Sequence, residues 1–270
     1  MLKVLYSNKN TWELDYFKSL INLEFEFYDI LKGKGQEIFI LVASHKDSVL
    51  PFCKTNKVNL VFYLGNEDHS KNDFLEIAKY SKLFCQYRHL NCYQLPLGYC
   101  SGMELVNDVI KIKDRKYDFS FIGSPKHDRI NLIEFFKKEF PNCYLNYGSN
   151  CWDINKQKVG PLEMSRIYQQ SRFVIIGRGW ISLDCFRIYE AIVCGAIPVV
   201  IGPLEEIDKT FYYNGEPPEF IYAEDALSAI NKIKSVELQV LQEKLMDWWK
   251  NQNNKIINLI TNEKNLATSF

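Results

Sequence analysis

Long apolar runs are missing from this chain. No stretch approaches the roughly 18 consecutive apolar residues needed to span a bilayer. The opening Met-Leu-Lys-Val-Leu-Tyr-Ser-Asn reads as a strand and a polar loop, not a signal peptide, so no transmembrane anchor is expected. Close-set cysteines are missing as well. The eight cysteines, at positions 53, 85, 92, 100, 143, 151, 185 and 194, form no Cys-x-x-Cys pair, and only four histidines accompany them. Zinc-site spacing is therefore absent. The thiols read as free and reduced, in a cytosolic compartment; disulfides are the alternative, though nothing in the spacing asks for them. An excess of one charge is also missing. Basic and acidic residues number 33 each, which argues against a dedicated nucleic-acid binder. No Gly-x-Gly-x-x-Gly follows the first strand, which counts against a nucleotide-dependent reductase.

What is present is material for cores. Hydrophobic residues make up 47 % of 270, enough for about two domains of ordinary size. Strand-like and helix-like segments alternate in the manner that gives parallel sheets. In the first half, strands are expected at Lys3–Tyr6, Ile38–Ala43, Asn59–Leu64 and Leu83–Tyr87, with helices at Trp12–Asn22 and Phe74–Tyr80. In the second, strands at Asp118–Ile122, Cys143–Tyr147, Phe173–Ile176, Ile197–Ile201 and Phe220–Tyr222 alternate with helices at Asp128–Glu139, Pro161–Gln170, Asp184–Cys194 and Ala223–Lys234. A last helical pattern covers Val236–Ile260. Both halves read as doubly wound α/β sheets, with ligands expected at the carboxyl ends of their strands. The charged stretch Val109–Lys116 reads as a solvated linker between them.

The most specific stretch runs from Asp184 to Val200. Asp184 suits a helix N-cap, Gly195 a left-handed stop, and Ala-Ile-Pro-Val-Val-Ile a buried strand. Arg187 falls in the first helical turn, where the macrodipole disfavours a cation, and Glu190 lies three residues on, on the same face. One reading is a surface ion pair. The other is an anion site, in which a cation beside helix N–H groups holds a diphosphate and the carboxylate one turn deeper holds ribose hydroxyls.

Arg-x-Tyr-Glu-Ala-Ile-x-x-Gly-x-Ile-Pro-Val-Val resembles the donor-site signature of exostosin-like (family 47-type) glycosyltransferases. Two further segments resemble the same domain in order: Tyr117–Ser124 followed by Arg129, and Tyr168–Gly179 with its Ser-x-Phe and glycine loop. Upstream, Arg88 and Pro96–Tyr99 match more loosely. The resemblance implies two Rossmann-like domains facing a cleft, the arrangement called GT-B. It gives an acceptor-side domain over residues 1–112, a nucleotide-sugar domain over 113–240, and a C-terminal helix over 241–270 packing back toward the first. By resemblance, Glu190 contacts the donor ribose. Animal and plant members are typically Golgi-anchored; without an anchor in this sequence, a soluble enzyme of a bacterium or a virus-infected cell is expected, a trimmed sequence being the alternative.

Glycosyl transfer expels a nucleoside diphosphate, whose growing charge must be met by a metal or by fixed cations and helix N-termini. No Asp-x-Asp motif occurs, so a metal-independent hexosyl- or pentosyltransferase is expected, with no metal ligands and no cofactor beyond the donor. Arg187 and Arg178 are the leading phosphate partners, with Arg129, after Gly123 and Ser124, the third. Gly177, Gly179, Trp180 and Ser182 line the same loop; Ser182 and Asp184 touch the sugar or cap the helix, with capping favoured for Asp184. An inverting reaction needs a general base. Asp68 is the first choice, with Glu67, His69 and Asp73 beside it and Glu13 and Asp15 as alternatives. The expected partners are a nucleotide sugar, UDP-linked, and a glycan acceptor; xylose is the first guess among the sugars that relatives move. The competing reading is a non-catalytic relative that keeps the donor pocket.

Overall fold

The computed structural model describes residues 3–8, 11–28, 35, 37–44, 46–67, 73–89, 92–105, 108–126, 129–148, 159–179 and 181–268. They divide into two compact units: residues 1–96, 212–216 and 253–270 form the first, and residues 97–211 and 217–252 the second.

The first unit holds β1 (Val4–Tyr6), α1 (Leu14–Leu20), β2 (Phe25–Phe27), β3 (Glu37–Ser44), α2 (Val49–Thr55), β4 (Lys57–Leu64), α3 (Phe74–Ile77), β5 (Lys82–Cys85) and β6 (Tyr93–Gln94). Its sheet runs β2-β1-β3-β4-β5-β6 with every neighbour parallel. The apolar runs of β3 and β4 are buried along nearly their whole length, as strands covered on both faces require. The sequence reading passes over β2, α2 and β6. Two are very short. α2 carries Pro51 in its first turn, where the missing N–H would have no intrahelical partner anyway.

The second unit holds β7 (Tyr117–Gly123), α4 (Arg129–Glu139), β8 (Cys143–Tyr147), α5 (Pro161–Gln169), β9 (Ser171–Ile176), α6 (Phe186–Val193), β10 (Ile197–Ile201), α7 (Leu204–Thr210), β11 (Ile221–Ala223) and α8 (Ala226–Ser235). The order is β11-β10-β9-β7-β8, again all parallel. Both sheets therefore start inside and reverse direction once. This is the doubly wound α/β architecture expected from the alternation, in its flavodoxin-like order. Phe119, Phe136 and Phe173 pack together at the heart of the second core. A 31-residue helix, α9 (Leu238–Thr268), ends the fold. Its residues up to Gln252 belong to the second unit and those from Asn253 on to the first. Within the first unit Asn253 accepts the hydroxyl of Tyr16 at 3.1 Å, and Glu263 pairs with Lys82. Among the described residues no helix is long and apolar enough to cross a membrane.

The stretch Val109–Lys116 is not the solvated linker its charges indicate. Ile112 and Arg115 are buried. The Arg115 guanidinium donates to the carbonyl oxygens of Ile110, Tyr168, Ser171 and Cys194 at 2.7–3.1 Å. Burial lowers its pKa to about 10, so the group remains a cation at neutral pH. Gly195 makes room for it. The residue is left-handed (φ +69°), and a Cβ there would stand 2.7 Å from Arg115 Nη2. The glycine that stops α6 is thus also the floor of a buried arginine.

Candidate functional site

In the second unit the strand order reverses between β7 and β9. In doubly wound sheets the loops that leave two such strands pass to opposite faces, and ligands bind at the carboxyl ends of the strands at this point. The first loop begins at Gly123 and Ser124; the second holds Gly177, Arg178 and Gly179 and leads to α6. All nine donor-site residues expected from sequence lie on these loops or on α4 and α6, which follow them.

The three arginines fall into different roles. Arg129, the first residue of α4, is buried; Nη1 donates to Ser124 O at 3.0 Å and Nη2 to Arg178 O. Its side chain lies over Gly177, where any Cβ would collide with it. Arg129 therefore ties the two loops together through their backbone. Arg178 is held by Glu206 of α7 in a two-pronged ion pair, at 2.5 and 2.7 Å, and also donates to Ile181 O at 2.8 Å.

Arg187 is different. It makes no ion pair among the described residues, and its Nε is buried without a hydrogen-bond partner. Its guanidinium lies against Gly123, where a Cβ would stand 2.6 Å from Nη1, and 5.6 Å from the centre of the Phe121 ring. Burial opposes its charge, but Cys185, Tyr168 and Glu190 outweigh that and hold its pKa above the ordinary range. The surface-pair reading of Arg187 and Glu190 is thereby overturned. Glu190 is buried, and its Oε1 accepts the backbone N–H of Cys100 at 3.3 Å. The helix that carries both begins at Phe186, with Cys185 as an N-cap that makes no side-chain capping bond.

Asp184 is not that N-cap. It lies one residue earlier, buried, and accepts the hydroxyl of Tyr189 at 2.9 Å; Tyr189 is a core residue. Ser182 Oγ accepts the N–H of Asp184, and Gly179 N–H donates to Ser182 O, so the loop closes on itself. Trp180 lies outside the described residues.

In the first unit, Asp68 and His69 also lie outside the described residues. Glu67 is half-buried, just beyond Gly65 and Asn66, two successive left-handed residues (φ +77° and +68°) that turn the chain after β4. Asp73 takes the hydroxyl of Tyr63 on β4 at 2.8 Å. The alternative carboxylate, Glu13, is the group with altered chemistry. It is buried at the start of α1, and burial pushes its pKa up to about 7, against the pull of its own backbone amide and of Gln86. Gln86 Nε2 donates to Glu13 Oε1, and Gln86 Oε1 accepts Gly65 N–H at 2.8 Å. Glu13 and the turn that carries Glu67 therefore meet on one amide.

No protein-family model matches the chain, and no curated protein matches it. Among solved structures it is similar to one titled "Crystal Structure of alpha1,3-Fucosyltransferase", at 12 % identity and a TM-score of 0.45, covering 95 % of this chain and 81 % of that one. A likeness at this level assigns no activity.

Sequence reading missed Glu206, Arg115 and Gln86. Pro203 followed by Leu-Glu-Glu is a helix-start signal that, if read, would have placed Glu206 at the head of α7. Arg115 and Gln86 carry no such signal, because their partners are backbone groups and side chains distant in sequence. Among the described residues no three His, Cys, Asp or Glu side chains converge as a metal set. Chemically, the second unit offers a cation beside a helix start, suited to an anion. The first offers a carboxyl that exchanges a proton near neutral pH.

Proposed function

We propose that this protein is a glycosyltransferase that takes a sugar from a nucleotide-sugar donor held by the second unit. The observation that carries the reading is Arg187: a guanidinium without a hydrogen-bonded anion among the described residues, set against Gly123 at a topological switch point and in the first turn of α6. A diphosphate leaving group fits such a place, because its charge grows in the transition state just where a fixed cation and helix N–H groups lie. In this reading Arg187 meets the diphosphate directly. Arg129 shapes the two loops, Arg178 braces the second of them against α7, and Gly123 keeps the approach open. Glu190 is the ribose partner, a role that rests on the resemblance of the Arg-x-Tyr-Glu-Ala-Ile segment. The donor is UDP-linked and the transfer inverting and metal-independent, xylose being the first sugar to try. The acceptor is a glycan.

The base that takes the acceptor's proton is a carboxylate of the first unit. Glu13 is favoured over Asp73, since Glu13 is tuned near neutrality while Asp73 is engaged by Tyr63. Asp68 remains the base to test beside it.

A thermal-shift panel of UDP- and GDP-sugars and free nucleotides, with and without EDTA, tests the reading. A ligand at about 100 times its dissociation constant adds roughly 2.7 kcal/mol of stability, a rise of several degrees. A rise for one nucleotide sugar that is lost in Arg187→Ala, followed by transfer to glycan acceptors, supports it. Binding without transfer or donor hydrolysis points to the non-catalytic relative, and no rise with any nucleotide removes the donor site.

A further inference from the structure

We propose that Gln86 is a positioning residue: it occupies Oε1 of Glu13, leaves Oε2 as the oxygen that exchanges the proton, and couples that carboxyl to the Gly65–Glu67 turn. The proposal rests on the reading of Glu13 as the base.

The orientation of the Gln86 amide follows from its partners. Gly65 N–H can only donate, so the amide atom facing it at 2.8 Å is Oε1. The other end, Nε2, must then face Glu13, and it can only donate, so Glu13 Oε1 is an acceptor in both protonation states. The carboxylic proton is therefore favoured on Oε2, because a carbonyl oxygen accepts from Nε2 better than a hydroxyl oxygen does. Gln86 is buried and is the first residue after β5, while Gly65 is the first after β4, the parallel neighbour of β5. The sheet itself thus sets the spacing of the bridge. At its far end the Gly65 bond steadies the two left-handed residues that precede Glu67.

Among the described residues no charged side chain faces the Glu13 carboxyl. Its polar partners are Gln86 and its own backbone amide. Changing Gln86 therefore acts on Glu13 with little competition.

The test is the titration of Glu13, followed by carbon NMR on protein labelled at glutamate side-chain carboxyls and assigned with Glu13→Gln, in the full chain and in Gln86→Glu and Gln86→Leu. Gln86→Glu keeps an acceptor for Gly65, and at pH 5 its protonated carboxyl still donates to Glu13, so the fold is expected to survive there. Above that pH two carboxyls share one proton, and the pair is expected to titrate in two steps at least one pH unit apart. Gln86→Leu removes the donor and is expected to move the Glu13 midpoint upward. If a nucleotide sugar is turned over, the acidic limb of kcat moves with the Glu13 midpoint in both variants while the donor KM stays within about twofold, a split that a purely structural role does not give. A Glu13 midpoint unchanged in both folded variants overturns the proposal. A moved midpoint with no turnover of any nucleotide sugar upholds the Gln86–Glu13 pair and overturns its place in glycosyl transfer.

Discussion

A Cβ on Gly123 would stand 2.6 Å from Nη1 of Arg187. The absence of a side chain at the end of β7 is thus what lets the guanidinium of α6 lie where it does. Gly123→Ala is expected to push Arg187 aside and also to cost stability, because Gly123 holds φ +154°, where an L side chain is strained whatever the space around it. Nucleotide binding should weaken about ten- to a hundredfold, the worth of a charge-assisted hydrogen bond or two. Calorimetric titration with the nucleotide picked out by the thermal panel checks this; unchanged affinity would separate Arg187 from the ligand.

Arg178 and Arg187 should behave differently. Arg178 already spends its charge on Glu206, in a pair that is about one-third exposed. Glu206→Gln is expected to cost no more than about 1 kcal/mol. Arg178→Ala should reduce nucleotide affinity less than Arg187→Ala. Parallel binding curves for the three variants decide it, and a larger loss at Arg178 reverses the assignment.

Arg115 is expected to matter for stability rather than for binding. Arg115→Met removes one donor from each of four backbone carbonyls, of which Ile110 O keeps Gln242 Nε2 and Tyr168 O keeps the N–H of Gln170, at a cost of several kcal/mol. At about 2–4 °C per kcal/mol for a chain of this size, the melting midpoint should fall by roughly 10 °C. Arg115→Lys should recover only part of that, since one ammonium cannot replace a planar fork. A melting curve within a degree or two of the parent would show that the carbonyls find other partners.

Glu13 ties stability to pH. Burial raises its folded pKa from 4.5 to about 7, so between those values the folded protein keeps a proton that the unfolded chain has released. This stabilisation is complete below pH 4.5 and is lost as the pH rises through about 7. Glu13→Gln, which still accepts from Gln86, does not titrate. Relative to the parent it should therefore gain stability from pH 5 to pH 8, by up to about 3 kcal/mol at roughly 1.4 kcal/mol per pH unit. Denaturant melts at the two pH values measure the gain; no change in the difference would show that Glu13 titrates normally.

Much of this was legible in the residues. The alternation of apolar runs with helical patterns fixed α/β units and parallel sheets, because parallel strands buried on both faces need continuous apolar sequence. β8, β10 and α4 fall within a residue of their expected bounds. Gly195 was readable as a helix stop because a left-handed residue there has a local cause. The arginines and glycines of the second unit were readable as a group, because loops at strand ends carry the residues that meet ligands.

The tertiary structure alone decided which arginine does what, because each guanidinium's role depends on partners remote in sequence. Ser124 and Arg178 carbonyls claim Arg129, Glu206 claims Arg178, and only Arg187 lies against Gly123 with no such claim among the described residues. It likewise buried Arg115, which in sequence stands among lysines and an aspartate like any surface charge. It also singled out Glu13, a carboxylate whose proton affinity is set by desolvation. Burial of that kind is a property of the folded core around a residue, and no local pattern of amino acids encodes it.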